Sequence, residues 1–468
     1  MQSSEYSAYM NQGQDFLADL TSALGADSIL ITDPSILISY SRDQAPTAAN
    51  GRPVGLLLAR TEAEVSIALK IANAAGVTVV PRGAGSGLAG GANALEGSLI
   101  VSLEKMNAIL EIDSVDRIAR VEPGLVNLDL DEAVSEYGLA YLPDPASRDW
   151  STIGGNVSTN AGGMCCLKYG VTGDHVIALR VVLASGEVIR VGTRTLKGVV
   201  GLDLLHLFVG AEGTLGIVTE ITVRLSDRRN DRATLVANFN SIGDAARAAT
   251  AIRSGGTAPS VLEIMDRTTL AAVEAWHPMG LTQSKALVIA QFDTEIDSAS
   301  QIAITACLAH GAIDAVASAD PTDSADLLAA RKMAYPALER LGAVLLDDVC
   351  VPLSKIAELV VGVEMIALAN DVMIGMFGHA GDGNMHPTIV YQRADELAIV
   401  RTDTAFHEII ALAHSLGGTA SGEHGVGSIK GSAAEFELGD RIIELQRQLK
   451  SIFDPNSIMN PGRKFSLG

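Results

Sequence analysis

The stretch PRGAGSGLAGGA (Pro81–Ala92) leaves few folds open to this chain. It follows an apolar strand candidate, VTVV (Val77–Val80), and contains Gly85-x-Gly87-x-x-Gly90. As a string, that is the dinucleotide fingerprint. The fingerprint works because a helix opens at the loop and turns its N-terminus toward a pyrophosphate. Here the loop runs into NALEG and a second strand candidate, SLIVSL (Ser98–Leu103). The Rossmann reading therefore fails on context. One capacity survives: successive unhindered N–H groups form an anion nest without any helix. Upstream, PVGLLLAR (Pro53–Arg60) reads as a strand and Thr61 with Glu64 as a capping box. Val65, Ile67, Leu69, Ile71 and Ala72 supply a mostly apolar helix that Gly76 ends, giving a βαβ unit.

Two more segments share the glycine-rich character, Pro143–Val176 and Gly210–Ile221. The first mixes Gly with Ser, Thr and Asn, the composition of a backbone wrapped closely around a polar, planar ligand. Before the first lie a short strand, RIARVEP (Arg117–Pro123), and a helix near Leu128–Gly138; between the two lies a hairpin predicted around Ala184-Ser185-Gly186. After SDRRNDR the pattern alternates strand and helix, with ATLVANF (Ala233–Phe239) and KALVIAQF (Lys285–Phe292) as strands. Helices are predicted near Ile242–Arg253 and Ser298–His310. The expected class is α+β. A helical lead-in (1–50) precedes an α+β domain very rich in glycine in its loops (51–227). A second domain (228–468) has an antiparallel or mixed sheet under covering helices and a C-terminal helical segment. A length of 468 residues, 48% of them apolar, suits two such cores.

GHAGDGNMHP (Gly378–Pro387) places two histidines seven residues apart. On a helix they would sit about 10 Å apart along the axis. On one straight strand they would face opposite sides. Convergence calls for a curled loop, which the glycines permit. SGEHGVG (Ser421–Gly427) adds Glu423 and His424 between further glycines. Two histidines and a carboxylate suit a divalent ion with open positions. His206, His277, His310, His407 and His414 read as ordinary surface or core residues.

The ordered set Pro81–Gly91, Pro143–Gly173, Glu212–Ile217, GHAGDGNMHP, SGEHGVG and DPNSIMNPGR (Asp454–Arg463) resembles the FAD-linked oxidase family of the vanillyl-alcohol-oxidase fold. Within that family it looks most like the glycolate oxidase flavin subunits and the D-lactate and D-2-hydroxyglutarate dehydrogenases. The resemblance covers nearly the whole chain after residue 50. It implies FAD, with the pyrophosphate on Arg82, Gly83, Ala84, Gly85, Ser86, Gly87 and Leu88. Further contacts are implied from Pro143, Asp144, Ser147, Thr152, Gly155, Asn156, Thr159, Gly162 and Gly163, and from Ile217 and Asn460. No histidine lies between Gly83 and Gly91, so the flavin is expected to be non-covalent.

By the same resemblance His379, His386 and Glu423 would hold the metal, with zinc foremost and manganese or iron as alternatives. His424 would be the base, and Arg331 would grip the substrate carboxylate. The implied chemistry is oxidation of a 2-hydroxy acid. Its chelated hydroxyl loses a proton to His424, and its C2 hydride goes to the flavin. The hydroxyglutarate enzymes grip a second carboxylate with a threonine and a lysine. Tyr335 and Leu346 stand at the matching positions here, which points to a small monocarboxylate, glycolate or D-lactate. A bulkier D-2-hydroxy acid, and a non-catalytic flavin subunit of an electron-transfer complex, are the alternatives.

The formal net charge of −21 argues against nucleic acid as a partner. Four cysteines fit neither a disulfide framework nor an iron–sulfur pattern, so any such centre, or a second flavin, belongs to a partner subunit that accepts electrons. Adjacent Cys165 and Cys166 read as small packed residues rather than a redox pair. Neither a signal peptide nor a membrane-spanning run is evident. A cytoplasmic protein is expected, peripheral to a membrane only through a partner, and a homodimer is compatible with the sequence.

Overall fold

The computed structural model describes residues 15–281 and 284–464; the first part of the expected lead-in lies outside the described residues. These residues divide into two units. One comprises 15–161, 171–228 and 424–464, and the other 162–170 and 229–423.

In the first unit, residues 15–24 form a helix that buries Phe16 and Leu20. Strands β1 (Ile29–Ile31), β2 (Gly55–Leu58), β3 (Val79–Arg82) and β4 (Leu99–Ser102) make a sheet in the order β1-β2-β4-β3. β2 and β3 both run parallel to β4, so the predicted βαβ unit has a third strand inserted at its centre. Its crossover helix, Glu62–Ala75, starts where Thr61 Oγ1 accepts from the Glu64 N–H at 3.2 Å and stops at Gly76, φ +67°. The capping box is only half formed, because the Glu64 carboxylate accepts from the Arg60 N–H at 2.6 Å instead. Val65, Leu69 and Ala72 pack against Leu57, Val79, Leu99 and Val101. Each large side chain so buried contributes about 1.5–3 kcal/mol. Residues 83–98, between β3 and β4, contain no helix.

The chain then lays down β5 (Ile109–Asp113), β6 (Ile118–Val121), β7 (Leu139–Ala140), β8 (Val176–Val182), β9 (Val188–Gly192), β10 (Ile217–Arg224) and β11 (Ser226–Asp227). Five of them form a sheet in the order β5-β6-β10-β8-β9, and β7 pairs with β11. The β8–β9 hairpin turns at Gly186, φ +82°. Val121, Leu130, Ile153, Leu179 and Ile221 share this sheet's core.

The second unit holds β12 (Ala233–Phe239), β13 (Val261–Asp266), β14 (Ala286–Phe292), β15 (Ala312–Ser318), β16 (Ala343–Leu346), β17 (Val349–Cys350), β18 (Met373–His379) and β19 (Asn384–Tyr391). They form one sheet in the order β15-β12-β14-β13-β18-β19-β16, with β17 also on β19, and all its pairs are antiparallel. On one face Met265, Leu287, Ile289 and Phe377 pack with Leu270, Val273, Ala337 and Leu338 of helices Arg267–Trp276 and Ala334–Glu339. Successive side chains alternate faces, so Leu262, Ile264, Val288 and Ala290 point the other way. They too are buried, and helix Ile242–Ser254 crosses that side. A sheet covered on both faces needs nearly continuous apolar strands, which β14 supplies up to Gln291 and β13 supplies apart from Glu263 and the closing Asp266.

Candidate active site

Strand pairing makes the cluster. His379 pairs with Asn384 and Phe377 with His386, so the two histidines are diagonal neighbours on one face of the β18–β19 hairpin. The curled loop expected from the spacing is thus a tight turn at the end of a hairpin. Both the Asp382 and the Gly383 N–H donate to the His379 carbonyl there, and Gly383 takes φ +93°. Spacing along one chain does not reveal this, because convergence comes from pairing two strands. The imidazole rings stand edge to face, 5.0 Å between centroids.

Both imidazoles aim at one oxygen. His379 Nε2 lies 3.1 Å and His386 Nε2 3.2 Å from Glu423 Oε1. All three side chains are largely buried. Asp348 fixes the Glu423 backbone: its Oδ2 accepts from the Glu423 N–H at 3.0 Å and from Ser421 Oγ at 2.9 Å. A Cβ at Gly162 would run into the Glu423 carboxylate, so the 162–170 segment approaches this site as bare backbone.

Sequence reasoning missed Glu263. The β13–β18 register pairs Ile264 with Gly378, which sets Glu263 opposite His379. Glu263 Oε1 lies 2.7 Å from His379 Nδ1, and Oε2 accepts from Arg331 Nε at 2.5 Å. Arg331, in the last turn of helix Pro321–Lys332, lies over the Phe377 ring at 4.7 Å. The available signal was an acid inside the apolar run VLEIM. Asp348 was missed for a similar reason, since Asp347-Asp348 looks like an ordinary turn between β16 and β17.

Burial alone would raise Glu423, but the charges of His379 and His386 outweigh it and hold its carboxyl well below the usual range. Burial likewise opposes charge on His379, yet Glu263 and Glu423 push its pKa well above the usual value. Two carboxylates thus favour positive charge on the imidazole between them. Asp348, His386 and Glu423 each offer a ligand atom within 4.8 Å of the others, and the nitrogen and oxygen donors fit a divalent ion. His379 meets the same Glu423 oxygen but is not part of that mutually close set.

His424, the next residue, opens the closing segment of the first unit. The turn that follows is anchored by Glu212, whose carboxylate accepts from the N–H groups of Val426 at 2.9 Å and Gly427 at 2.8 Å.

The expected flavin residues lie in the first unit, except Gly162 and Gly163, which belong to the second. A Cβ at Gly83 would collide with Thr152 Oγ1, itself the cap of helix Ile153–Thr159. Arg82 Nη1, Asn156 Nδ2 and Asn460 Oδ1 are buried and have no hydrogen-bond partner among the described residues. Leaving such a group unsatisfied costs about 1–3 kcal/mol, so these residues fit a polar ligand. Asn460 is itself held, donating from Nδ2 to the carbonyls of Gly91 and Glu212. Ile217 is 1% exposed and packs in the core, so only its backbone is available to a cofactor. None of the four cysteines forms a disulfide. Among the described residues no helix is long and apolar enough to cross a membrane.

Comparison with known proteins agrees with this architecture. Residues 228–463 match the family described as FAD linked oxidases, C-terminal domain, and residues 53–192 match an FAD binding domain. The chain is 41% identical over 432 residues to the glycolate oxidase subunit GlcD of Bacillus subtilis (strain 168), covering 91% of this chain and 92% of that one. It is 34% identical to a D-lactate dehydrogenase of Anaerostipes hadrus, with 91% and 92% covered. Among solved structures, p-cresol methylhydroxylase with substrate bound superposes with a TM-score of 0.81 at 18% identity, covering 97% of each chain, which shows the shared fold. The chain belongs to the FAD-linked oxidase family and is an FAD-dependent oxidoreductase.

Proposed function

We propose that this chain oxidises a small 2-hydroxy monocarboxylate, glycolate or D-lactate, to the 2-oxo acid with the help of FAD and a divalent ion. The observation that carries the reading is the convergence of His379 and His386 on Glu423, tied through Glu263 to Arg331. The printed names of the relatives support the substrate class. Bound FAD supplies a hydride acceptor. A bound divalent ion supplies a Lewis acid that acidifies an alcohol.

The residues do the rest. His379, His386 and Glu423 hold the ion; zinc suits two nitrogens and an oxygen, as do manganese and iron. Arg331, its Nε taken by Glu263, offers its terminal amino groups to a carboxylate as a fork. His424 accepts the hydroxyl proton. Tyr335 and Leu346 pack against the apolar cluster of Phe377 and Met265 and supply no cation for a second carboxylate. Arg82, Asn156, Thr152 and Asn460 line the flavin cradle. We place the chain in the cytoplasm, passing its electrons to a partner subunit.

The test is an anaerobic panel of glycolate, D-lactate, longer D-2-hydroxy acids and D-2-hydroxyglutarate that follows flavin bleaching, with metal analysis of the same sample. Glycolate or D-lactate should bleach the flavin at least tenfold more efficiently than the dicarboxylate, because an unmatched buried charge costs several kcal/mol. Equal turnover of D-2-hydroxyglutarate defeats the monocarboxylate reading. A preference for longer chains moves it to a bulkier acid, with Tyr335 and Leu346 as pocket wall.

A further inference from the structure

We propose that Glu263 is a positioning residue that couples the cation site to the carboxylate grip. This rests on the reading of His379 as a ligand and Arg331 as the substrate anchor. Glu263 has no solvent exposure and lies mid-strand in β13 between Leu262 and Ile264, where an acid is costly unless fully paired. It spends its two oxygens on different partners: Oε1 on His379 Nδ1 at 2.7 Å and Oε2 on Arg331 Nε at 2.5 Å.

Each bond fixes something that the site needs. Whenever His379 is neutral, a carboxylate at Nδ1 keeps the remaining proton there, and Nε2, on the Glu423 side, is the nitrogen left with the lone pair that a cation needs. On Arg331, Glu263 captures Nε while the Phe377 ring, 4.7 Å away, supports the guanidinium plane. The fork can then neither rotate nor swing. Phe377 pairs with His386 across the hairpin, so the same support reaches the second imidazole. One carboxylate thus sets the tautomer of a ligand and the heading of the anchor together. A glutamine at this place keeps a single oxygen acceptor and must turn its amino group toward one of the two donors.

The coupling predicts effects of opposite sign. The flavin-loaded protein is stripped of divalent ions with a chelator and titrated with Mn²⁺, free Mn²⁺ being read by its magnetic resonance signal. Glu263→Gln should weaken Mn²⁺ binding 10–100-fold, as loss of an outer-shell partner typically does. It should also raise KM for the hydroxy acid more than it lowers kcat. Arg331→Met, which removes no ligand, should tighten Mn²⁺ binding severalfold, because a nearby cation is gone and Glu263 turns wholly to His379. Loss of the cation alone tightens Mn²⁺ binding equally in the Glu263→Gln background, so the coupling requires Arg331→Met to tighten binding more in the wild-type background than in Glu263→Gln. Should Glu263→Gln fail to fold, Glu263→Asp takes its place in the same comparison. The coupling is overturned if Arg331→Met binds Mn²⁺ within twofold of wild type, or if Glu263→Gln binds as wild type does. A wild type that binds no Mn²⁺ removes the cation reading itself, and the inference falls with it.

Discussion

In the first unit, the residues expected to meet FAD sit in loops, at the ends of strands β3 and β10 and in one short helix, and at Gly83 the chain approaches as bare backbone. In the second, the proposed cation site is made of side chains held on neighbouring strands and one loop. Gly83 lies flat against Thr152, with no room for a Cβ. His379, His386 and Glu263 instead owe their meeting to the register of three strands. One site is therefore broken by adding atoms and the other by removing them.

The largest effect should come from removing an imidazole. His424→Ala deletes the proposed proton acceptor while leaving the three proposed cation ligands, so turnover should fall about 10²–10⁴-fold with metal content unchanged. His386→Ala should lower metal content and turnover together while the flavin stays bound. Metal analysis and flavin absorbance on the same samples separate the two. If His424→Ala strips the ion and His386→Ala retains it, the two roles are exchanged. If neither changes metal content, the cluster is scaffold.

The same contrast explains what could be read from the sequence. A loop that wraps a ligand needs glycine at particular places along one chain, so Pro81–Ala92 and Pro143–Val176 were visible as strings, and the absence of a helix after Gly91 excluded the Rossmann alternative. A cluster assembled across strands leaves weaker traces. His379 and His386 stood out by type, but their geometry was misjudged as a curled loop because pairing registers are not written in spacing. Glu263 and Asp348 did not stand out at all, since one acid in an apolar strand resembles ordinary variation until its neighbours are known. The family match runs through residues 228–463, yet the segment from His424 onward groups with the first unit. The Glu212 carboxylate, more than two hundred positions earlier, holds its turn.

A second, smaller effect tests the added-atom half of the comparison. Gly83→Ala should weaken FAD binding about tenfold or more, because its methyl group displaces Thr152 Oγ1 and with it a helix cap typically worth about 1 kcal/mol. Gly162→Ala should disturb the Glu423 carboxylate and lower metal affinity. Equilibrium dialysis of each variant against FAD and against zinc reads both. Equal loss of FAD in the two variants, with no change in metal, would show that Gly162 serves the flavin alone. In either background the flavin should leave the protein on acid precipitation, since no histidine is present in the first loop to bond it; yellow colour retained by the pellet would refute a non-covalent flavin.

The smallest effect concerns stability and lies next to the cluster. Asp266 ends β13 and caps helix Arg267–Trp276, its Oδ1 accepting from the Thr269 N–H at 2.8 Å. Burial pushes its carboxyl up to about 6, against the helix-cap hydrogen bonds that pull it down. The folded chain therefore keeps a proton that the unfolded chain has already lost between about pH 4 and pH 6. More protons bound in the folded state mean that this group's contribution falls as pH rises through that window, by about 1.4 kcal/mol per unit at most. Asp266→Asn keeps an oxygen acceptor for Thr269 and titrates nothing. The variant should match wild type near pH 4 and exceed it by about 1–3 kcal/mol at pH 7. Denaturant midpoints of both proteins at pH 4.5, 5.5 and 7 measure the gap. A gap of constant size across the three values would mean that Asp266 is already ionised in the fold, with its cap hydrogen bonds outweighing burial.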